Sequence, residues 1–130
     1  EIVDAISDWG WYCGIIFQIS DDILDLTSDS ETLGKPTGND IIEGTYTLPV
    51  LIALESDKSK YQELINSVHE GKSNIESLLN EFSNNNIIEK SKDLIYSYHS
   101  KSVESIYNLK NHDLFPTLEN INNYLINRTS

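Results

Sequence analysis

Apolar residues return at three- and four-residue steps through the first part of the chain. Ile2, Ala5, Ile6, Trp9, Tyr12, Cys13, Ile16, Ile19, Ile23 and Leu26 trace this rhythm, which is the spacing of a helix face. The pattern predicts one helix over residues 2–27. Apolar side chains also fall on most of its other faces, so a central helix is expected rather than a surface one. Gly10 and Gly14 stand four apart on one face. Glycine costs a helix interior about 1 kcal/mol relative to alanine. The pair therefore predicts a close neighbour, either helix backbone or substrate.

Thr27-Ser28-Asp29-Ser30 closes this helix. Residues 28–44 then hold three glycines and a proline. A loop of that length is unusual in a compact helical protein and is often functional. Thr47-Leu48-Pro49 opens the next helix, with Pro49 tolerated in the first turn, and Val50, Leu51 and Ala53 carry it to about Ser56. Further helices are expected over about 59–70, 74–82, 87–109 and 116–127. Gly71 is placed to end the first of these, and Asn84-Asn85-Asn86 to break after the second. No strand pattern, repeat or linker is present. The fold class expected is all-α.

Charge narrows the function. Acidic residues outnumber basic ones 21 to 9, for a net charge of −12. Nucleic-acid binding needs a basic footprint and docking on anionic lipid needs basic clusters, so neither is expected. No apolar run approaches the roughly 20 residues of a membrane span, so no transmembrane segment is expected. Glu1, Asp4 and Asp8 are acidic where a secretory leader would be basic. The single cysteine, Cys13, excludes an internal disulfide, reads as packing and suits a cytoplasmic setting. Methionine is absent, even at position 1, so the chain reads as part of a longer one.

The candidate chemistry is concentrated in Phe17-Gln18-Ile19-Ser20-Asp21-Asp22-Ile23-Leu24-Asp25, followed by Gly34-Lys35-Pro36 and Asp40. Positions four apart share a helix face, so Asp21 and Asp25 point one way, with Gln18 a turn earlier. Two carboxylates at about 5–6 Å repel by roughly 3 kcal/mol at an effective dielectric of 20. No basic residue lies between Asp21 and Glu31, so something else must offset the repulsion. Mg²⁺ suits this: it is hard, prefers oxygen, and bridges carboxylates to phosphates through retained waters. A solvated acidic helix face is the plain alternative. A calcium loop is excluded, because Ile23 and Leu24 stand where ligands belong. Lys35, after glycine in a loop, offers a mobile point charge for phosphate oxygens, and Asp40 could return a carboxylate to the metal.

These residues in this order resemble the second aspartate-rich region of the trans-polyprenyl diphosphate synthases. Gly10, Gly14, Phe17, Gln18, Asp21, Asp22, Asp25, Gly34, Lys35, Asp40, Gly44, Thr47, Leu48 and Pro49 all stand in the family's pattern. The match covers about residues 9–54, and the tail Asn123–Arg128 is similar to the family's last helix and closing arginine. Ile16 and Trp9 depart from the usual alanine and tyrosine. The loop wording is most similar to medium- and long-chain bacterial members, including the catalytic component of two-component heptaprenyl diphosphate synthases.

The resemblance implies a helical bundle with its metal site on an inner helix. It implies Mg²⁺-dependent condensation of isopentenyl diphosphate with an allylic diphosphate. Asp21 would be a direct Mg²⁺ ligand, and Asp22 and Asp25 would hold the ion's waters. Lys35 would bind the allylic diphosphate, with Asp40 near the metal shell, and Phe17 and Gln18 would face the reacting carbons. No first aspartate-rich motif precedes residue 21, and the upstream lysine–threonine pair is missing. Residues 1–130 are therefore expected to be the C-terminal portion of one synthase domain, inactive alone. A homodimer, or a heterodimer with a small partner subunit, is the implied assembly. The alternatives are a non-catalytic helical partner subunit, which tends to lose these aspartates, and a terpene cyclase, which carries a different second metal motif. His69, His99 and His112 lack metal spacing and read as structural or surface residues. Tyr96, Tyr98, Tyr107 and Tyr124 read as helix packing.

Overall fold

In the computed structural model, which describes residues 1–28 and 37–129, the long apolar rhythm forms one helix, α1 (Ile2–Thr27). Then follow α2 (Asn39–Ile42), α3 (Leu48–Ser56), α4 (Lys58–His69), α5 (Ile75–Asn84), α6 (Ile87–Ser105), a 3₁₀ turn (Tyr107–Leu109) and α7 (Phe115–Asn127). The described residues are helical with no strand among them, as the pattern predicts. They divide into two units, one built on residues 1–20 and 92 onward, the other on residues 21–91.

Within the first unit, Ile106, Leu109 and Leu118 form a core against Ala5, Ile6, Trp9 and Phe115. Asn122 is 1% exposed yet satisfied on both sides of its amide. Its Oδ1 accepts from Trp9 Nε1 at 2.8 Å, and its Nδ2 donates to Ser102 Oγ at 2.7 Å. A buried amide that meets its partners this way fixes which helix faces pack together. Cys13 is buried nearby, and loss of water raises its thiol pKa to about 11, so it stays protonated at neutral pH and serves as packing. Burial also lowers the pKa of His99.

The second unit has the larger apolar cluster: Leu26, Ile41, Val50, Ala53, Tyr61, Ile65, Leu78, Phe82 and Ile87. Tyr61 and Phe82 pack ring to ring at 5.6 Å. Local chemistry sets the ends of its helices. Asp57 caps α4 by accepting from Lys60 N–H, and Asn74 caps α5 by accepting from Ser77 N–H. Gly71, at φ +74, closes α4: Gly71 N–H donates to Val68 O and Lys72 N–H to Ser67 O, which is the Schellman pattern. Asn86 takes the left-handed conformation between α5 and α6 at φ 58, a region asparagine tolerates better than most residues.

Several expectations are corrected. The stretch read as loop contains α2, too short to show a helical period. The helix expected to reach residue 109 ends at Ser105. Tighter 3₁₀ winding then brings Ile106 and Leu109, three apart, onto one buried face. Alpha-1 is one-sided among the described residues, with Val3, Trp11 and Phe17 exposed. A Cβ on Gly10 or Gly14 would meet nothing within 4 Å, so the neighbour expected there is not among the described residues. Tyr98 stacks on Tyr12 at 6.2 Å, whereas Tyr96, Tyr107 and Tyr124 are exposed rather than packed.

The Asn122 network gives a direct test. Asn122→Leu strands the Trp9 N–H, removes one of the two hydrogen bonds at the Ser102 hydroxyl and should cost about 1–3 kcal/mol. Chemical denaturation should show this as a lower midpoint with an unchanged slope.

Candidate metal and diphosphate site

The site begins with two aspartates that α1 carries into the interior. Asp22 is 7% and Asp25 2% exposed. They lie among Ile19, Ile23 and Leu26, all buried, so their charges must be met by polar partners. Backbone amides from downstream segments supply part of this. Asp25 Oδ2 accepts from Asp40 N–H at 3.2 Å, and Asp25 O accepts from Gly38 N–H at 2.8 Å. Asp22 Oδ2 accepts from Leu48 N–H at 3.3 Å.

Both donors sit at helix starts. Asp40 lies in the first turn of α2, whose N-cap Gly38 has no side chain to cap it. Leu48 is the first residue of α3, whose N-cap Thr47 makes no side-chain cap bond. The first amides of a helix lack internal partners, and a carboxylate is favoured there by the helix dipole. Asp25 and Asp22 therefore cap α2 and α3 from a distance of 15 and 26 residues in sequence.

Glycine makes the intervening turn possible. Gly38 has φ +75, and a Cβ there would come within 2.8 Å of Ile75 Cγ1. Gly44 has φ +86 and ends α2, with Gly44 N–H donating to Ile41 O and Thr45 N–H to Asp40 O. Ile41 anchors the turn in the apolar cluster. Asp40, half-buried, is thereby brought beside Asp25.

Asp21 and Gln18 lie on the exposed side of α1, three residues apart and so on neighbouring positions of one face. Phe17 is half exposed, and the Arg128 guanidinium lies 4.4 Å from its ring centroid. Arg128 Nη1 also donates to Ser20 Oγ at 3.0 Å and to Phe17 O at 3.4 Å. Gly34 and Lys35 fall outside the described residues.

The donor set suits a hard divalent cation. It is all oxygen and anionic, as Mg²⁺ requires. Among the described residues no three His, Cys, Asp or Glu side chains gather to hold an ion unaided. The backbone bonds at Asp22 and Asp25 do not preclude a metal-bound water, since a carboxylate accepts at about four positions.

Sequence reasoning missed two features. The capping role of Asp22 and Asp25 depends on amides far along the chain, which no local pattern marks. His69 is the other: its Nε2 lies 2.7 Å from Ile41 O, across 28 residues with no motif to signal it.

Helical architecture, an interior aspartate pair and a glycine-framed turn define an all-α protein of the isoprenoid-synthase kind. The polyprenyl synthetase family profile matches residues 1–84, and the chain belongs to that family. Heptaprenyl diphosphate synthase component 2 of Bacillus subtilis is 39% identical over 110 residues, covering 84% of this chain and 31% of that protein. The crystal structure of heptaprenyl diphosphate synthase from Staphylococcus aureus superposes with a TM-score of 0.83 at 26% identity, over 97% of this chain and 40% of that one. Octaprenyl pyrophosphate synthase from Helicobacter pylori gives a TM-score of 0.77 at 35% identity, over 94% and 42%. The chain spans about a third of the length of the curated relatives it matches. No helix among the described residues is long and apolar enough to cross a membrane.

The capping arrangement predicts a measurable split. Asp22→Ala should cost about 1–2 kcal/mol of stability, the usual range for a lost helix cap. The loss should appear as faster hydrogen exchange at the Leu48 amide and the amides that follow it.

Proposed function

We propose that the chain is the C-terminal portion of a prenyltransferase domain and carries the part that holds an allylic diphosphate through Mg²⁺. The observation that carries this reading is the Asp21-Asp22-Ile23-Leu24-Asp25 turn, with Asp40 folded back onto Asp25.

In this reading the allylic carbon–oxygen bond breaks and the electron pair leaves with diphosphate. The double bond of isopentenyl diphosphate attacks the allylic cation, and a proton is lost to give the longer polyprenyl diphosphate. Bound Mg²⁺ would neutralise charge on the departing diphosphate. Asp21, exposed on α1, would be its direct ligand. Asp22 and Asp25 would orient its waters from positions fixed by backbone bonds, and Asp40 would stand at the edge of that shell. Lys35 would contribute a point charge to the diphosphate oxygens. Phe17 and Gln18, a turn before Asp21, would face the reacting carbons. The guanidinium over Phe17 supports a fixed ring there.

The assembly proposed is a dimer, of like chains or with a small partner subunit. The "component 2" in the name of the Bacillus subtilis relative supports the second form. The setting proposed is the cytoplasm, with no nucleic acid involved.

The test uses the full-length protein that contains these residues, with labelled isopentenyl diphosphate, an allylic diphosphate and Mg²⁺. Dephosphorylated products should form a Mg²⁺-dependent series ending at one length. Asp21→Ala should lower turnover by about a hundredfold or more, the scale set by losing one preorganised electrostatic group, while thermal stability stays close to that of the parent. Full turnover by that variant, or no incorporation even with cell extract added to supply a partner, would overturn the reading.

A further inference from the structure

We propose that His69 is a positioning residue for Asp40. This rests on the reading of Asp40 as part of the metal and diphosphate site.

Alpha-2 has four residues, far too few to be stable alone, so contacts from outside must hold it. On its N-terminal side, Asp25 accepts from Gly38 N–H at 2.8 Å and from Asp40 N–H at 3.2 Å. On its C-terminal side, Ile41 O accepts from Gly44 N–H at 3.0 Å and lies 2.7 Å from His69 Nε2. Ile41 itself is 2% exposed. The turn that carries Asp40 is thus tied to two different helices, once at Asp40 and once at the residue after it. Its own N–H is tied to α1, and the next residue's carbonyl is tied to α4. Those two ties leave the Asp40 Cα–Cβ bond little freedom of direction.

His69 is suited to this task. It is the last residue of α4, where the Schellman closure at Gly71 fixes the backbone. A carbonyl only accepts, so the contact requires a proton on Nε2. The ring also lies over Gly44, where an added Cβ would meet His69 Cε1 at 3.9 Å.

The experiment compares His69→Gln and His69→Leu in the full-length protein, with its partner where activity needs one. Gln can place an amide N–H near the Nε2 position, whereas Leu cannot donate. For H69L, the Mg²⁺ dissociation constant measured by calorimetry should rise about five- to tenfold, the scale of one lost hydrogen bond, with the Mg²⁺ concentration giving half-maximal rate rising in step and kcat changed far less. H69Q should stay near the parent. Asp40→Asn should raise the same constant, and the H69L/D40N double variant should be no worse than D40N alone. If H69L does not fold, His69→Asn, whose amide is too short to reach Ile41 O, takes its place in each comparison.

An unchanged Mg²⁺ constant in H69L would overturn the proposal. So would equal impairment of H69Q and H69L, or additive effects in the double variant. None of these would touch the prenyl-transfer reading, which stands or falls on Asp21→Ala in the same assay.

Discussion

Two buried aspartates three residues apart on one helix are the constraint on which the second unit depends. Asp22 and Asp25 lie among apolar neighbours, and like charges this close repel by roughly 3 kcal/mol at an effective dielectric of 20. Hydrogen bonds to charged groups contribute about 1.5–3 kcal/mol each. The bonds from Leu48 and Asp40 are therefore of the right size to offset that repulsion. In satisfying the carboxylates, the chain must bring the starts of α2 and α3 back to α1. The path from residue 37 to residue 48 follows from this electrostatic need more than from any propensity of its own.

That path in turn explains the turn residues. To present its first amides to Asp25, the chain must enter α2 through a left-handed residue packed beneath Ile75. Only glycine meets both demands at position 38. To leave α2 after four residues and reach Thr47, it must close the helix at once, which Gly44 does. Pro49 then suits the start of α3, because the amides it and its neighbours would leave unpaired are few. Residues that read in sequence as a diphosphate motif are here also the parts of a hairpin-like return onto α1.

The sequence made most helices legible, because their apolar periods run for ten residues or more. It could not show α2, since four residues hold barely one period. Nor could it place the end of α6, where burying Ile106 and Leu109 together favours the tighter winding. The site was legible as a list of residue types: three aspartates, a glycine–lysine pair and a later aspartate. Its geometry was not, because the partners of Asp22 and Asp25 are backbone amides, and every residue but proline carries one. His69 was equally silent, being one histidine among three with no spacing to commend it. The neighbour that the spacing of Gly10 and Gly14 implies does not lie among the described residues.

The two roles of the aspartates reinforce each other. A carboxylate that caps a helix is held in direction by that bond, and groups fixed before a ligand arrives lose less freedom when it binds. In the proposed reading, Asp22 and Asp25 would meet the metal's waters already oriented, as outer-shell groups commonly do. Asp21 sits on the exposed face of α1, where substrate phosphates would approach. The division corrects the expectation that Asp21 and Asp25 point one way: they share a face by spacing, but only Asp25 is met by the amides of Gly38 and Asp40 and buried. Positions 22 and 25 turn inward with Ile19, Ile23 and Leu26, while position 21 turns outward with Gln18. Within little more than one turn of helix, the chain thereby carries both the buried carboxylates that order the return and the exposed one that would face the ion.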